Sequence, residues 1–202
     1  MNNKGVFIVI EGLDGSGKTT QARLLSKKLS KKYNIFLTTE PSRGKIGSYI
    51  REYYLYEKQR LPTDVEALLF AADRLEHVKK ELVPALDKGK LVICDRYLHS
   101  SLAYQGSSGL SIDWIRGINS KALQPDIGIF IDLAPEVVLK RLNRKKSVME
   151  TLETQQKVRE IYLKFVENGE LVRIDGDKPK EDVATNLYSK VTEMIEPLRD
   201  SI

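Results

Sequence analysis

The sequence predicts an α/β fold in which a parallel sheet of about five strands lies between two layers of helices. Three observations predict it. Five short apolar runs recur along the 202 residues, longer periodic segments separate them, and the first run leads directly into a glycine-rich motif. No repeat or Pro/Gly/Ser-rich linker divides the chain, so we expect a single domain over residues 1–202.

The strands are predicted from near-continuous apolar runs, which suit strands buried on both faces of a sheet. They are VFIVI (6–10), IFLTT (35–39), LVICD (91–95), IGIFIDL (127–133) and LVRID (171–175). The segments between them are predicted to be helices. Their approximate bounds are 18–31, 46–56, 63–87, 98–123 with a break near Gly106–Gly109, 135–145, 150–167 and 180–197.

Composition restricts the possible partners. The net charge of +5 favours anionic partners, among which nucleotides, nucleic acid and anionic lipid all qualify. The chain has no run of about eighteen apolar residues, so we expect no membrane span. The one cysteine, Cys94, cannot form an internal disulfide, and the first apolar run supports the glycine-rich motif instead of forming a signal peptide. Both points predict a cytoplasmic protein.

The stretch EGLDGSGKTT (11–20) contains the pattern G-x-x-x-x-G-K-[ST] between a predicted strand and a predicted helix. Its glycines allow backbone angles that point successive N–H groups at one cluster of phosphate oxygens, and the N-terminus of the helix adds partial positive charge. Lys18 is expected to reach the β- and γ-phosphates, and the Thr19 hydroxyl to bind Mg²⁺. The pattern therefore predicts a three-layer P-loop NTPase fold. The residues expected to bind the triphosphate are Gly12, Leu13, Asp14, Gly15, Ser16, Gly17, Lys18, Thr19 and Thr20.

Triphosphate binding leaves three classes of protein: hydrolases and motors, guanine-nucleotide switches, and kinases acting on a small acceptor. The chain has no N-K-x-D motif for reading guanine, which disfavours a switch, and it is short for a motor. A kinase requires additional residues that suit a second anionic substrate. A nucleic-acid-stimulated ATPase is a further alternative, but few aromatic residues accompany the lysine clusters, so no nucleic-acid partner is expected.

Candidate acceptor residues follow the second and third strands, whose carboxyl ends face the ligand crevice of such sheets. Asp95 resembles a carboxylate that organises Mg²⁺, and Arg96 is placed to bridge donor and acceptor phosphates. The alternative is a pair that merely ends a strand. Arg43 is expected to bind the acceptor phosphate, with Arg51 as a second cation.

The helix after Pro62 carries two different faces. Phe70, Arg74 and His77 lie opposite an apolar stripe, which predicts that Phe70 stacks on a planar base while Arg74 hydrogen-bonds its edge. The alternative is that Phe70 packs against another element. The stripe is expected to face the core and consists of Val65, Leu68, Leu69, Ala72, Leu75 and Leu82.

The segment KRLNRKK (140–146) has five cations in seven residues, with Arg141, Arg144 and Lys145 on one helical face. Phosphoryl transfer develops negative charge that mobile cations can neutralise, and the phosphate motif has no arginine at its variable positions. A short basic lid at about 140–150 is therefore predicted, with a solvated helix face as the alternative. Arg144 is our catalytic candidate and Arg141 our candidate for nucleotide binding.

Taken together, these segments resemble the thymidylate kinases. The resemblance covers most of the chain and depends on the combination of its motifs. They are VFIVIEGLDGSGKTTQARLL, TTEPSRG, LLFAADRLEH, DRYLHSSLAYQG, QPDIGIFIDL and KVREIYLKF.

The resemblance implies an ATP- and Mg²⁺-dependent kinase that phosphorylates dTMP to dTDP, and a homodimer. It implies that Phe70 stacks on thymine, Arg74 contacts the base, and Arg43 and Arg96 bind the dTMP phosphate. Tyr104 would exclude a ribose 2′-hydroxyl. The remaining residues that it places at the substrate are Ser100, Gln105, Glu150 and Tyr162.

Asp14 introduces a negative charge into a loop that binds phosphate. The resemblance implies that its carboxylate accepts a hydrogen bond from the 3′-hydroxyl of dTMP. The lid departs from the family pattern, since it lacks the usual Asp-Arg pair and has Ser147-Val148-Met149-Glu150 instead. Arg141, Arg144, Lys145 or Lys146 would have to substitute. The nearest alternative is another nucleoside-monophosphate or deoxynucleoside kinase.

Overall fold

A computed structural model of the protein describes residues 5–53, 61–141 and 151–200. Its five strands form one all-parallel sheet in the order β2-β3-β1-β4-β5. They are β1 (Val6–Gly12), β2 (Ile35–Thr39), β3 (Leu91–Asp95), β4 (Ile127–Asp132) and β5 (Val172–Asp175). All five predicted strands are confirmed. The three central strands β1, β3 and β4 are buried throughout, whereas the edge strands β2 and β5 are partly exposed.

Helices cover both faces of this sheet, as the alternation of elements predicted. They are α1 (Lys18–Leu29), α2 (Lys45–Tyr53), α3 (Thr63–His77), α4 (Val83–Asp87), α5 (Leu98–Ser107), α6 (Ile112–Ile118), α7 (Pro135–Arg141), α8 (Leu152–Glu167) and α9 (Lys180–Asp200). A π-helical turn, Val78–Leu82, joins α3 to α4. The predicted break after α5 falls at Gly109, which has a φ of +98° that glycine adopts without strain.

Two apolar cores flank the sheet, because alternate side chains of a strand point to opposite faces. Val6, Ile8 and Ile10 of β1 pack with α1 and α9, whereas Phe7 and Val9 pack with the face covered by α4, α5 and α8. No helix in the described ranges is long and apolar enough to cross a membrane.

The predicted orientation of α3 is wrong. Val65 and Leu68 of the apolar stripe are 40% and 49% exposed, while Arg74 and His77 on the opposite face are 1% exposed. The inward face of α3 is polar because its side chains meet polar groups of neighbouring elements, which the spacing of apolar residues cannot reveal. Of the stripe, only Leu82 is fully buried.

Candidate active site

The phosphate-binding loop connects β1 to α1 at the centre of the sheet. Gly12, Gly15 and Gly17 have φ values of +151°, +88° and +94°, which place them where other residues are strained. A Cβ on Gly12 would lie 2.7 Å from Ser16 Oγ and 2.8 Å from the backbone oxygen of Ile131. The backbone conformation therefore favours glycine at all three positions, and close packing also requires it at Gly12.

Lys18 begins α1 and is 5% exposed, with its ammonium donating to the backbone oxygen of Leu13 over 2.6 Å. Burial and the nearby guanidinium of Arg96 lower the pKa of Lys18 to about 8, although neighbouring carboxylates oppose the shift. Thr20, on the same turn of α1, is exposed. Lys18 thus lies inside the loop, where its ammonium group can contact a phosphate oxygen.

Thr19, in the first turn of α1, lies next to Asp95 at the carboxyl end of β3. The Thr19 hydroxyl donates to Asp95 Oδ2 over 2.5 Å, and Asp95 Oδ1 is buried with no hydrogen-bond partner among the described residues. A hydroxyl and a carboxylate with an unused buried oxygen suit Mg²⁺, a hard cation whose other ligands would be phosphate oxygens and water. No cluster of three or more His, Cys, Asp or Glu side chains suited to a metal occurs in the described ranges. The two predicted metal residues therefore fit a site completed by the nucleotide.

Asp14 and Arg96 form an ion pair across the crevice. Arg96 Nη2 lies 2.6 Å from Asp14 Oδ1, and their side chains are 18% and 31% exposed. Tyr104 joins the pair, because its hydroxyl accepts from the Asp14 N–H at 3.1 Å and donates to Asp14 Oδ2 at 3.3 Å. Burial is the largest single influence and lowers the pKa of Arg96, but Asp14, together with Tyr104, Tyr162 and Asp95, outweighs it, so the pKa lies well above its ordinary value. The carboxylate that seemed misplaced in a phosphate loop thus organises a cation beside it.

Arg74 is held by a buried network on the inward face of α3. Its Nε donates to Glu40 Oε2 over 2.9 Å, and its Nη1 donates to Asn119 Oδ1 over 2.6 Å. Its Nη2 donates to the backbone oxygen of Tyr97 and to Ser101 Oγ, at 3.1 and 3.0 Å. The orientation of this guanidinium is therefore fixed before any ligand binds.

Phe70 is half-buried one turn before Arg74, and Gln105 lies opposite on α5. The Gln105 amide donates to the buried carboxylate of Glu66 over 3.0 Å, while Gln105 Oε1 is buried without a partner in the described part of the chain. An aromatic ring, a fixed guanidinium and an unused amide oxygen on facing helices form an arrangement that suits a planar polar group.

The loop between β2 and α2 carries the next predicted residue, Arg43, whose side chain is exposed. Asp73 of α3 accepts from the Ser42 N–H and Ser42 Oγ, at 2.6 and 2.5 Å. Arg51 donates to the backbone oxygens of Pro41 and Ser42, so it braces the loop instead of pointing outward as a second phosphate ligand.

Ser100 and Tyr162 meet beneath Arg96. Arg96 Nη1 donates to Ser100 Oγ over 3.0 Å, and Ser100 Oγ lies 3.1 Å from the Tyr162 hydroxyl. Tyr162 is 0% exposed and stacks on Phe130 at 4.8 Å between ring centroids. This packing places Tyr162 behind the residues that line the crevice.

The lid predictions are only partly covered by the described residues. Arg141 is exposed at the end of α7, whereas Arg144, Lys145, Lys146 and Glu150 lie outside the described residues.

Sequence reasoning gave no role to three buried polar residues of the site: Glu11, Glu40 and Asn119, which are 0%, 4% and 5% exposed. A signal existed for the carboxylates, because each directly follows an apolar run predicted to be a buried strand. No comparable signal marks Asn119, whose partner Arg74 is 45 residues away.

Comparison with known proteins adds an independent finding. A family model described as thymidylate kinase matches residues 10–187. A protein of Pyrococcus abyssi named "Probable thymidylate kinase" is 48% identical over 179 residues, which cover 85% of this chain and 87% of that protein. One of Pyrococcus horikoshii with the same name is 47% identical over 93% of this chain and 96% of its own length. The "Thymidylate kinase" of Onion yellows phytoplasma is 40% identical over 95% of this chain and 99% of its own.

Proposed function

Because the chain belongs to the thymidylate kinase family, we propose that it transfers the γ-phosphoryl group of ATP to dTMP, giving ADP and dTDP. The observation that carries the proposal is the Asp14–Arg96 ion pair, 2.6 Å long, which joins the phosphate-binding loop to the end of β3. A triphosphatase needs no such cation facing a second site, whereas a kinase with an anionic acceptor does.

The transfer is a displacement at the γ-phosphorus. An oxygen of the dTMP phosphate forms the new bond, and the bond to the oxygen that bridges the β- and γ-phosphorus atoms breaks. The attacking oxygen is already nucleophilic, so the protein supplies positioning and charge neutralisation instead of a strong base. Lys18 binds the donor phosphates, and Arg96 contacts both the acceptor phosphate and the transferring group.

Thr19 and Asp95 would hold Mg²⁺, which would supply charge neutralisation for the phosphates of the bound nucleotide. Arg141 contacts the nucleotide from the end of α7, and Arg144, which lies outside the described residues, stays the sequence-based candidate for neutralising charge on the transferring group.

On the acceptor side, Phe70 stacks on thymine and Arg74 contacts its edge from a fixed position. Arg43 binds the dTMP phosphate, and Gln105 offers its amide oxygen to the base. Tyr104, hydrogen-bonded to Asp14, fills the space that a ribose 2′-hydroxyl would need, while Asp14 accepts from the 3′-hydroxyl. Ser100 and Tyr162 support Arg96 from behind.

A homodimer of this kinase, working in the cytoplasm, completes the proposal. The exposed apolar stripe of α3 supports the dimer, since Val65 and Leu68 are 40% and 49% exposed in the single chain. Such a surface is stabilised when a second copy covers it.

The substrate assignment is tested with dTMP, dUMP, UMP, dCMP, AMP and GMP, each supplied with ATP and Mg²⁺, while ADP formation is followed. We expect the highest kcat/KM with dTMP, and loss of all turnover in Lys18→Ala, which controls for contaminating kinases. Preference for a ribonucleotide would overturn the assignment. ATP hydrolysis that depends on added DNA or RNA would indicate the ATPase alternative instead.

A further inference from the structure

Glu11 is a fully buried carboxylate at the end of β1 for which phosphoryl transfer itself has no use. It is 0% exposed, and its position in β1 directs it to the sheet face covered by α5 and α8. Oε1 accepts from the N–H groups of Tyr97 and Ser100, at 2.8 and 3.3 Å. Oε2 accepts from Ser100 Oγ and the Tyr162 hydroxyl, at 2.6 and 2.9 Å. All four donors lie far from Glu11 in sequence.

Two of these donors are backbone N–H groups at the start of α5. The first N–H groups of a helix lack the regular partner one turn earlier; the Ser100 N–H donates to the Tyr97 backbone oxygen at 3.2 Å, and the N-cap residue Tyr97 provides no side-chain acceptor. Glu11 supplies that acceptor from another element, and its negative charge is favourable at the positive end of the helix. The position of α5 is thereby coupled to the strand that ends in the phosphate-binding loop.

Arg96 lies between β3 and this helix start, in a left-handed backbone conformation. Its φ is +71°, and it is the only residue other than glycine with a positive φ in the described ranges. The Arg96 N–H donates to Ile10 O over 3.0 Å, and the next N–H, that of Tyr97, donates to Glu11. Two successive N–H groups at the strained residue are thus tied to successive residues of β1.

The side chain of Arg96 is tied to the same carboxylate. Arg96 Nη1 donates to Ser100 Oγ, and Ser100 Oγ donates to Glu11 Oε2, so Glu11 orients the Ser100 hydroxyl with a lone pair toward Arg96. Both the backbone around Arg96 and its guanidinium therefore connect to one buried group, in addition to the ion pair of the guanidinium with Asp14.

We infer that Glu11 is a positioning residue, which touches no substrate and fixes Arg96 where it meets the acceptor phosphate. The inference rests on the proposed function, in which Arg96 bridges the two substrates. A positioning role differs from a purely structural one in one measurable respect. Loss of Glu11 should lower the kcat of the folded protein through Arg96, beyond any loss of folded protein.

Glu11→Gln tests this with little change in shape. The glutamine oxygen can still accept from the two N–H groups, but its amide donates where the Ser100 hydroxyl donates in wild type, so that hydroxyl must reorient and a lone pair of Ser100 is drawn away from Arg96. We expect kcat to fall by about tenfold or more, with KM for ATP within about threefold of wild type. The matched control is Glu170→Gln, because Glu170 Oε2 also contacts α5, at 3.3 Å from His99 Nε2, away from the crevice. Its kcat should stay within about twofold of wild type.

A double-mutant cycle with Arg96→Ala separates positioning from general destabilisation. If Glu11 acts through Arg96, adding Glu11→Gln to Arg96→Ala should change kcat by less than about twofold. Multiplying losses, or an unchanged kcat in the single variant, would overturn the inference. If Glu11→Gln does not fold, Ser100→Ala interrupts the same chain of hydrogen bonds and should lower kcat in the same non-additive way.

A ligand-free crystal structure of Glu11→Gln provides a readout that does not depend on the substrate. We expect Arg96 to leave its positive φ or to lose Ser100 Oγ. An unmoved Arg96 refutes the positioning role whatever the enzyme phosphorylates. Failure of wild type to phosphorylate dTMP, with Arg96 displaced in the variant, refutes only the proposed substrate.

Discussion

At the scale of the residue, the charge of Lys18 sets the pH range in which the free enzyme captures ATP. Burial, together with Arg96, lowers its pKa to about 8, so the free enzyme loses this cation as the pH rises through that value. Bound phosphates favour the charged form and raise the pKa in the complex. We expect kcat/KM for ATP to decline above about pH 8, and kcat to decline only at higher pH. Steady-state profiles between pH 6 and 10 measure both, and a flat kcat/KM across that range contradicts the assignment.

The same lowered pKa affects stability. An unfolded lysine keeps an ordinary pKa near 10.5, so between about pH 8 and 10.5 the unfolded chain binds more protons than the folded one. The cost of burying the charge is therefore fully present below pH 8 and disappears as the pH rises through 10.5. In urea titrations, Lys18→Met should be more stable than wild type near neutral pH, and the difference should shrink toward pH 10.

At the scale of the element, the loop after β2 is positioned by α3. Asp73 is 1% exposed and accepts two hydrogen bonds from Ser42, next to Arg43. The helix α2 packs so closely that a Cβ on Gly47 would lie 2.1 Å from the Ser42 oxygen. The loop therefore has little freedom while Asp73 holds it.

Asp73→Asn should weaken binding of the acceptor phosphate, since the amide cannot accept both Ser42 hydrogen bonds and Arg43 loses its fixed position. We expect KM for dTMP to rise by roughly three- to tenfold with a smaller change in kcat, and unfolding free energy to fall by about 1–3 kcal/mol. Asp64→Asn, which removes an exposed carboxylate from the first turn of the same helix, is the control. A larger effect on KM for ATP than for dTMP would show that the loop serves the donor.

The strands and the phosphate-binding motif could be predicted from the sequence for a physical reason. Burial on both faces requires uninterrupted apolar strands, and phosphate binding requires glycines and Lys18 at fixed spacing, so both requirements are local. The inward face of α3 could not be predicted, because Arg74 and Asp73 are buried by partners 23 to 45 residues away in sequence. Spacing rules assign polar residues to solvent. These rules fail where other groups of the folded protein satisfy the hydrogen bonds of buried polar residues.

At the scale of the whole molecule, the exposed apolar stripe of α3 is an argument for a dimer. The apolar stripe of α3 is regular enough to predict burial, yet the single chain leaves Val65 and Leu68 exposed. Both facts are consistent if a second copy buries the stripe. In a two-fold dimer the same stripe lies on both sides of the interface, so one substitution changes it twice.

Leu68→Glu should therefore convert the dimer to a monomer, because it places two like charges within one apolar interface. Light scattering should give twice the 23.0 kDa chain mass for wild type and the single mass for the variant. Leu198→Glu is the matched control: Leu198 is 37% exposed on α9, which packs on the other face of the sheet, and this variant should remain dimeric. A monomeric wild type, or a dimeric Leu68→Glu, would leave the stripe without the proposed partner. Since Phe70 and Arg74 lie on the same helix, monomeric Leu68→Glu should also show a raised KM for dTMP, whereas a dimer formed elsewhere would leave that KM unchanged.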